Sequence, residues 1–174
     1  GRTVAEEIAV DGPMTSTRVR HVAAQTADAL HHAHGLGLIH RDLKPANMML
    51  LRRASDNDFV KVFDFGLAKL FDNGAMLTGL SISPLTHDGI VFGTPEYMSP
   101  EQAKGRPVDK RTDVWAFGVV LFEMLSGQRA FRGSDISETL AKILEREPDL
   151  AALPSGTPSA IERLLKRALA KDPR

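Results

Sequence analysis

The chain has no cysteine among its 174 residues. Disulfides and thiolate metal sites are therefore excluded, which fits a reducing compartment. Net charge is absent too: 22 Lys and Arg balance 22 Asp and Glu, without a basic run or stripe. No nucleic-acid partner is expected of such a surface. Long apolar runs are also missing. The longest, Val114 to Leu125, is interrupted by Gly118 and Glu123, and it falls short of the ~20 residues that cross a bilayer. It reads as a buried core helix, so no membrane segment is expected in this chain. The opening GRTVAEEIAV lacks the charged-then-apolar layout of a signal peptide. A cytoplasmic location is expected, with any membrane tether of the parent outside this chain. No internal repeat or low-complexity tract is found.

What remains is ordinary for one soluble domain with a core: 43% apolar and 25% charged residues. Val19, Val22, Ala23, Thr26, Ala27, Leu30 and Ala33 recur at helical spacing, so Thr17 to His34 reads as an amphipathic helix. Thr15, Ser16 or Thr17 can cap it, and Gly35 and Gly37 stop it. Leu38-Ile39 reads as a strand-like pair. Met48 to Leu51 and Phe59 to Phe63 read as short strands joined by the hairpin loop RRASDND. Asp64 to Glu101 has little periodicity, and a segment that long is usually functional or disordered. Helices are expected again at Asp113 to Ser126, closed by Gly127, then at Ser134 to Arg146 and Pro158 to Ala170. The class is α+β, mostly helical.

The densest polar chemistry is HRDLKPAN, His40 to Asn47, followed by DFG at Asp64 to Gly66. Taken singly, Asp42 is a turn residue, Lys44 a solvated charge and Asn47 a cap. Taken together, these motifs and GTPEYMSPEQ, DVWAFGVVLFEML and LLKRALAKDPR stand in the order of one family. The chain resembles the eukaryotic-like Ser/Thr protein kinases, in flavour their bacterial members, over the large C-terminal lobe.

The resemblance implies phosphoryl transfer from ATP, with Mg2+, to a Ser or Thr hydroxyl of a protein substrate, in signal transduction. It implies that Asp42 accepts the substrate hydroxyl and that Lys44 offsets phosphate charge. Asn47 and Asp64 are the implied metal ligands, through oxygens suited to a hard cation. Met49 would pack beneath the adenine ring, although plain core packing accounts for it as well. Thr94 would bridge Asp42 and Lys44, against the simpler reading of a loop hydroxyl. Arg41 would bind a phosphorylated loop residue, with Thr78, Ser81, Ser83 and Thr86 as candidates and Thr86 favoured. Structural roles are implied for His40 and Phe65, stacked in an apolar column. Gly66 is expected to permit a turn. Glu101 would pair with Arg167, and Asp113 would brace the catalytic turn.

The family's small-lobe elements are missing: the glycine-rich phosphate loop, the strand lysine and its glutamate partner. Lys61 lies on the strand before Asp64 and cannot be that lysine. Residues 1–174 therefore read as an incomplete kinase domain, with 64–101 as activation segment and the small lobe of the same parent as missing partner. Weak Mg-ATP binding and poor transfer are expected of the chain alone. The rival readings are a pseudokinase-like scaffold and small-molecule phosphotransfer. The first is opposed by the presence of Asp42, Asn47 and Asp64, the second by the long segment suited to peptide docking.

Overall fold

The computed structural model describes residues 1–54, 56–65 and 95–172. Its centre is helix α4, Arg111–Ser126, and twelve of its sixteen residues are buried. A helix apolar on every side must be enclosed by its neighbours. The other helices are α1 (Val4–Asp11), α2 (Ser16–Gly35), α3 (Pro100–Ala103), α5 (Ile136–Glu145) and α6 (Ser159–Ala168), of which α2 and α6 pack most closely against it. Three-residue 3-10 turns occur at Pro45–Asn47, Pro95–Tyr97 and Leu150–Ala152.

α4 ends as its sequence demands. Gly127 adopts φ 69°, and its N–H closes on the Glu123 carbonyl, a left-handed cap that glycine takes without steric cost. Gly118 serves packing instead. A Cβ there would meet the Ala168 Cβ at 2.9 Å and Leu169 at 3.0 Å. The missing side chain is what lets the end of α6 approach α4 so closely.

α2 carries the expected stripe. Val19, Val22, Thr26, Leu30 and Ala33 are buried, and Thr15 caps the helix by accepting the Arg18 N–H. Three antiparallel strands lie beside it in the order β1 (Arg2–Thr3), β2 (Met48–Arg53), β3 (Asp56–Val62). Met48 faces Val62 and Leu50 faces Val60; Met48, Leu50 and Val60 point into the core. α2 also serves the outer strand. The Gln25 side chain accepts the Val60 N–H at 3.0 Å and donates to the Asp58 carbonyl at 3.0 Å. Arg18 binds both oxygens of Asp58, at 2.9 and 2.7 Å, and Glu7 at 2.9 Å.

Three expectations are corrected. Leu38-Ile39 belongs to no strand among the described residues. The hairpin is tighter than expected: Arg52, Arg53 and Asp56 to Asp58 lie in the strands, with Arg53 opposite Asp56. The start is a helix that was not expected. Its signal is a capping box in which Thr3 accepts the Glu6 N–H and Glu6 accepts the Thr3 N–H. None of the described helices is long and apolar enough to cross a membrane.

Candidate active site

HRDLKPAN forms a tight polar turn between α2 and β2. Both partners of the Asp42 side chain converge on Oδ2: Lys44 Nζ at 2.7 Å and Asn47 Nδ2 at 3.3 Å. Asn47 Nδ2 also donates to the Asp42 carbonyl at 2.9 Å. Among the described residues Asp42 Oδ1 has no partner, and the side chain is half exposed. Asn47 is buried, with its amide nitrogen engaged, so Oδ1 is the atom it has left to offer. Pro45 begins the 3-10 turn that carries Asn47 back toward Asp42.

The turn is tied to the strand before Asp64. Phe63 N–H donates to the Asn47 carbonyl at 3.1 Å. His40 Nε2 donates to the Phe63 carbonyl at 3.0 Å, while Nδ1 accepts the Asp42 N–H at 3.3 Å. A carbonyl can only accept and an amide N–H can only donate, so this pair of bonds assigns one neutral tautomer. The His40 and Phe65 rings lie 4.6 Å apart, tilted by 56°. Asp64 is exposed and makes no hydrogen bond or ion pair among the described residues.

Two residues here take left-handed backbone angles without being glycine: Arg41 at φ 67° and Asp64 at φ 65°. Such conformations cost of order 1–3 kcal/mol and persist where surrounding contacts over-determine them. Arg41 is gripped on both sides. Its N–H donates to Asp113 Oδ1 at 2.8 Å, and its carbonyl accepts from Gln102 Nε2 at 2.8 Å. Asp113 is fully buried, and its Oδ2 accepts the His40 N–H at 2.8 Å and His34 Nε2 at 2.7 Å.

Gln102 and His34 are the residues that sequence reasoning missed. Gln102 had a signal, because Ser99-x-x-Gln102 is a capping box for α3. His34 had none, since its partner lies 79 residues on.

The expected Glu101–Arg167 pair is not found among the described residues. Glu101 Oε1 instead accepts the Thr112 hydroxyl at 2.7 Å, and Thr112 in turn accepts from Ser99 Oγ at 3.0 Å. Arg167 is on α6, beside a groove of about 730 Å³ that α2 and α4 also wall. Met49 is half-buried, on the face of β2 opposite Met48 and Leu50. Gly66, Thr78, Ser81, Ser83, Thr86 and Thr94 lie outside the described residues.

Behind the site a second polar cluster has formed at the buried end of GTPEYMSPE. The Tyr97 hydroxyl donates to Glu123 Oε2 at 2.6 Å, and Arg129 binds Glu96 at 2.7 Å. Burial pushes the Glu123 carboxyl above its usual range and Tyr97 above its own, the latter helped by the Glu123 charge.

The family description of the protein kinase domain matches residues 1–174. The serine/threonine-protein kinase Pkn1 of Myxococcus xanthus is 42% identical over 165 residues, which are 94% of this chain and 23% of that protein. PknB of Mycobacterium tuberculosis is 38% identical over 175 residues, 99% of this chain and 26% of its own length. PrkC of Bacillus subtilis is 34% identical over 174 residues, 99% of this chain and 25% of its own. The chain thus spans about a quarter of the length of these relatives. With its site built from HRDLKPAN and its whole length matched, this chain belongs to the protein kinase domain family.

Proposed function

We propose that the chain is the catalytic lobe of a protein kinase that moves the terminal phosphoryl group of ATP to a serine or threonine hydroxyl. The observation that carries this reading is the half-occupied carboxylate of Asp42. Oδ2 is held by Lys44 and Asn47, and Oδ1 is open among the described residues. That leaves one oxygen to accept the hydrogen bond of an incoming alcohol and, late in the reaction, its proton.

Asn47 Oδ1 and the Asp64 carboxylate are hard oxygen donors, which fits magnesium. They are the residues that would hold it, and the ion would offset negative charge on the phosphates. In the transfer the hydroxyl oxygen forms a bond to the γ-phosphorus while the bond to the ADP oxygen breaks, and the hydroxyl proton passes to Asp42. The Lys44 ammonium, held at Asp42, is within reach of the same region and would stabilise the charge on the moving group. Preorganisation is the chief contribution of the protein: the turn is fixed before substrate arrives.

Lys44 and the GTPEYMSPE segment favour Ser/Thr over Tyr. Met49 is read as the floor of the adenine site, Thr94 as the bridge between Asp42 and Lys44, and Arg41 as the receiver of a phosphorylated loop residue, with Thr86 ahead of Thr78, Ser81 and Ser83. A chain without a small lobe supplies only half of a nucleotide cleft, so the 174 residues alone should transfer phosphate poorly.

The test is phosphate transfer from labelled ATP to a generic basic protein, by a kinase domain that contains this chain joined to its small lobe. Transfer to Ser and Thr that Asp42→Asn abolishes is the expected result. No transfer, or transfer indifferent to Asp42→Asn, would favour a scaffold.

A further inference from the structure

We propose that Lys171 is an acylation site, its amine taking the acyl group of a small acyl phosphate held by the cations of the pocket that Lys171 lines.

Lys171 follows α6, and its Nζ is placed by neighbours from three other segments. It donates to the Ile143 carbonyl of α5 at 2.6 Å. It stands 4.6 Å from the Trp115 ring of α4 and 4.3 Å from the Phe131 ring, two rings stacked 5.5 Å apart. Lys44 and Lys142 each answer a carboxylate, Asp42 and Glu138. Lys171 forms no ion pair among the described residues, and Glu147 is the charge that favours its ammonium. Burial outweighs that charge and pushes the pKa down to about 8. Near pH 8 such an amine is neutral, and so nucleophilic, roughly a hundredfold more often than an exposed lysine.

The lone pair has a space to face. Of the four positions about Nζ, Cε holds one, the Ile143 carbonyl faces a second and the rings a third. The fourth is left for a pocket of about 320 Å³ that Lys171 lines together with α3 and the start of α4. The other ionisable walls are Glu101, Lys104, Arg106, Asp109, Arg111 and Asp172. Glu101 is taken by the Thr112 hydroxyl and Asp109 by Arg111, at 2.8 Å, while the charge of Asp172 also bears on Arg111. Lys104 and Arg106 are exposed and enter no ion pair among the described residues. They are the cations left to hold an anionic phosphate. In the transfer the Nζ lone pair forms a bond to the acyl carbon, the bond from that carbon to the phosphate oxygen breaks, and inorganic phosphate leaves. One amine proton passes to water. The product amide keeps an N–H for the Ile143 carbonyl.

The plainer view makes Lys171 a clamp that fastens the chain after α6 to α5. A clamp accounts for the carbonyl bond, and for neither the pocket beside it nor the two cations in the pocket wall.

The test treats the 174-residue chain with acetyl phosphate from about pH 7 to 10. Mass spectrometry follows occupancy at each lysine, and circular dichroism confirms the fold. At pH 8 we expect Lys171 to acetylate roughly tenfold faster or more than exposed Lys61, Lys110 and Lys166. Its rate should level off near pH 8 while theirs keep rising. The advantage should vanish in urea that unfolds the chain. Lys104→Ala combined with Arg106→Ala should slow Lys171 about threefold or more with acetyl phosphate, and leave its rate with the neutral donor p-nitrophenyl acetate unchanged. Lys171 no faster than the exposed lysines, or an advantage that survives urea, overturns the proposal. So does a double variant slowed equally with both donors or with neither, because the two cations then select no anionic donor.

Discussion

At the scale of single residues, charge is placed where neighbours already oppose it. Lys44 lies 2.7 Å from Asp42 Oδ2. If it also faces the transferred phosphate, Lys44→Met should lower kcat about 10²–10³-fold, the usual loss for one stabilising donor. Steady-state assay of a completed domain checks this; an unchanged kcat would leave Lys44 as a mere partner of Asp42. Lys171 is a different case. Its Nζ donates to the Ile143 carbonyl at 2.6 Å and lies 4.6 and 4.3 Å from the Trp115 and Phe131 rings. Burial nevertheless pushes its pKa down to about 8, against an ordinary 10.5. The folded chain then holds this proton less tightly than the unfolded chain does. Between about pH 8 and 10.5 the unfolded state carries more of it, so stability from this group rises with pH. Melting curves from pH 7.5 to 10 should show a more favourable trend for wild type than for Lys171→Met. Parallel trends would show that the group titrates normally.

At the scale of elements, close approach and edge satisfaction decide stability. Gly118→Ala should destabilise the chain by about 1–3 kcal/mol, because the new Cβ meets Ala168 and Leu169 on a packed helix end. Chemical denaturation measures it. Gln25→Ala strips the Val60 N–H of its partner on the outer strand. A cost of about 1–3 kcal/mol is expected, with faster exchange at that amide. These same elements explain what the sequence made legible. α2 and α4 could be read because a stripe of Val, Leu and Ala, or an apolar face all round, announces itself by period. The strands could be read from Met48 to Leu51 and Phe59 to Val62, but their inner ends could not, since Arg52, Arg53 and Asp56 look like loop. α1 escaped because only Val4 in it is buried, leaving a capping box as its one mark. Leu38-Ile39 misled because two apolar residues in a row do not by themselves make a strand.

At the scale of the molecule, the motif carried the chemistry of the site and said little about its support. Asp42, Lys44 and Asn47 are near in sequence and were found together. Gln102 and Asp113 reach the turn from two separate elements and His34 meets Asp113 from a third, and only Asp113 was anticipated. Glu101 was anticipated with the wrong partner, because a family pattern names the acid without fixing which hydroxyl lies nearest. The completeness of the cleft is also a molecular property. The purified chain should bind Mg-ATP with a Kd on the order of 1 mM or weaker, as titration calorimetry would show; micromolar binding would mean that this lobe alone suffices.

The carboxylate that grips His40 and Arg41 is supplied 73 residues after the first of them. A growing polypeptide that has just emerged with HRDLKPAN therefore has the letters of a catalyst and no means of holding their shape. Only when α4 has been made and has docked can the segment settle, and long-range closures of this kind come late and slowly. The form of the turn is thus acquired together with tertiary structure, and a chain cut short before α4 would carry the motif without its shape.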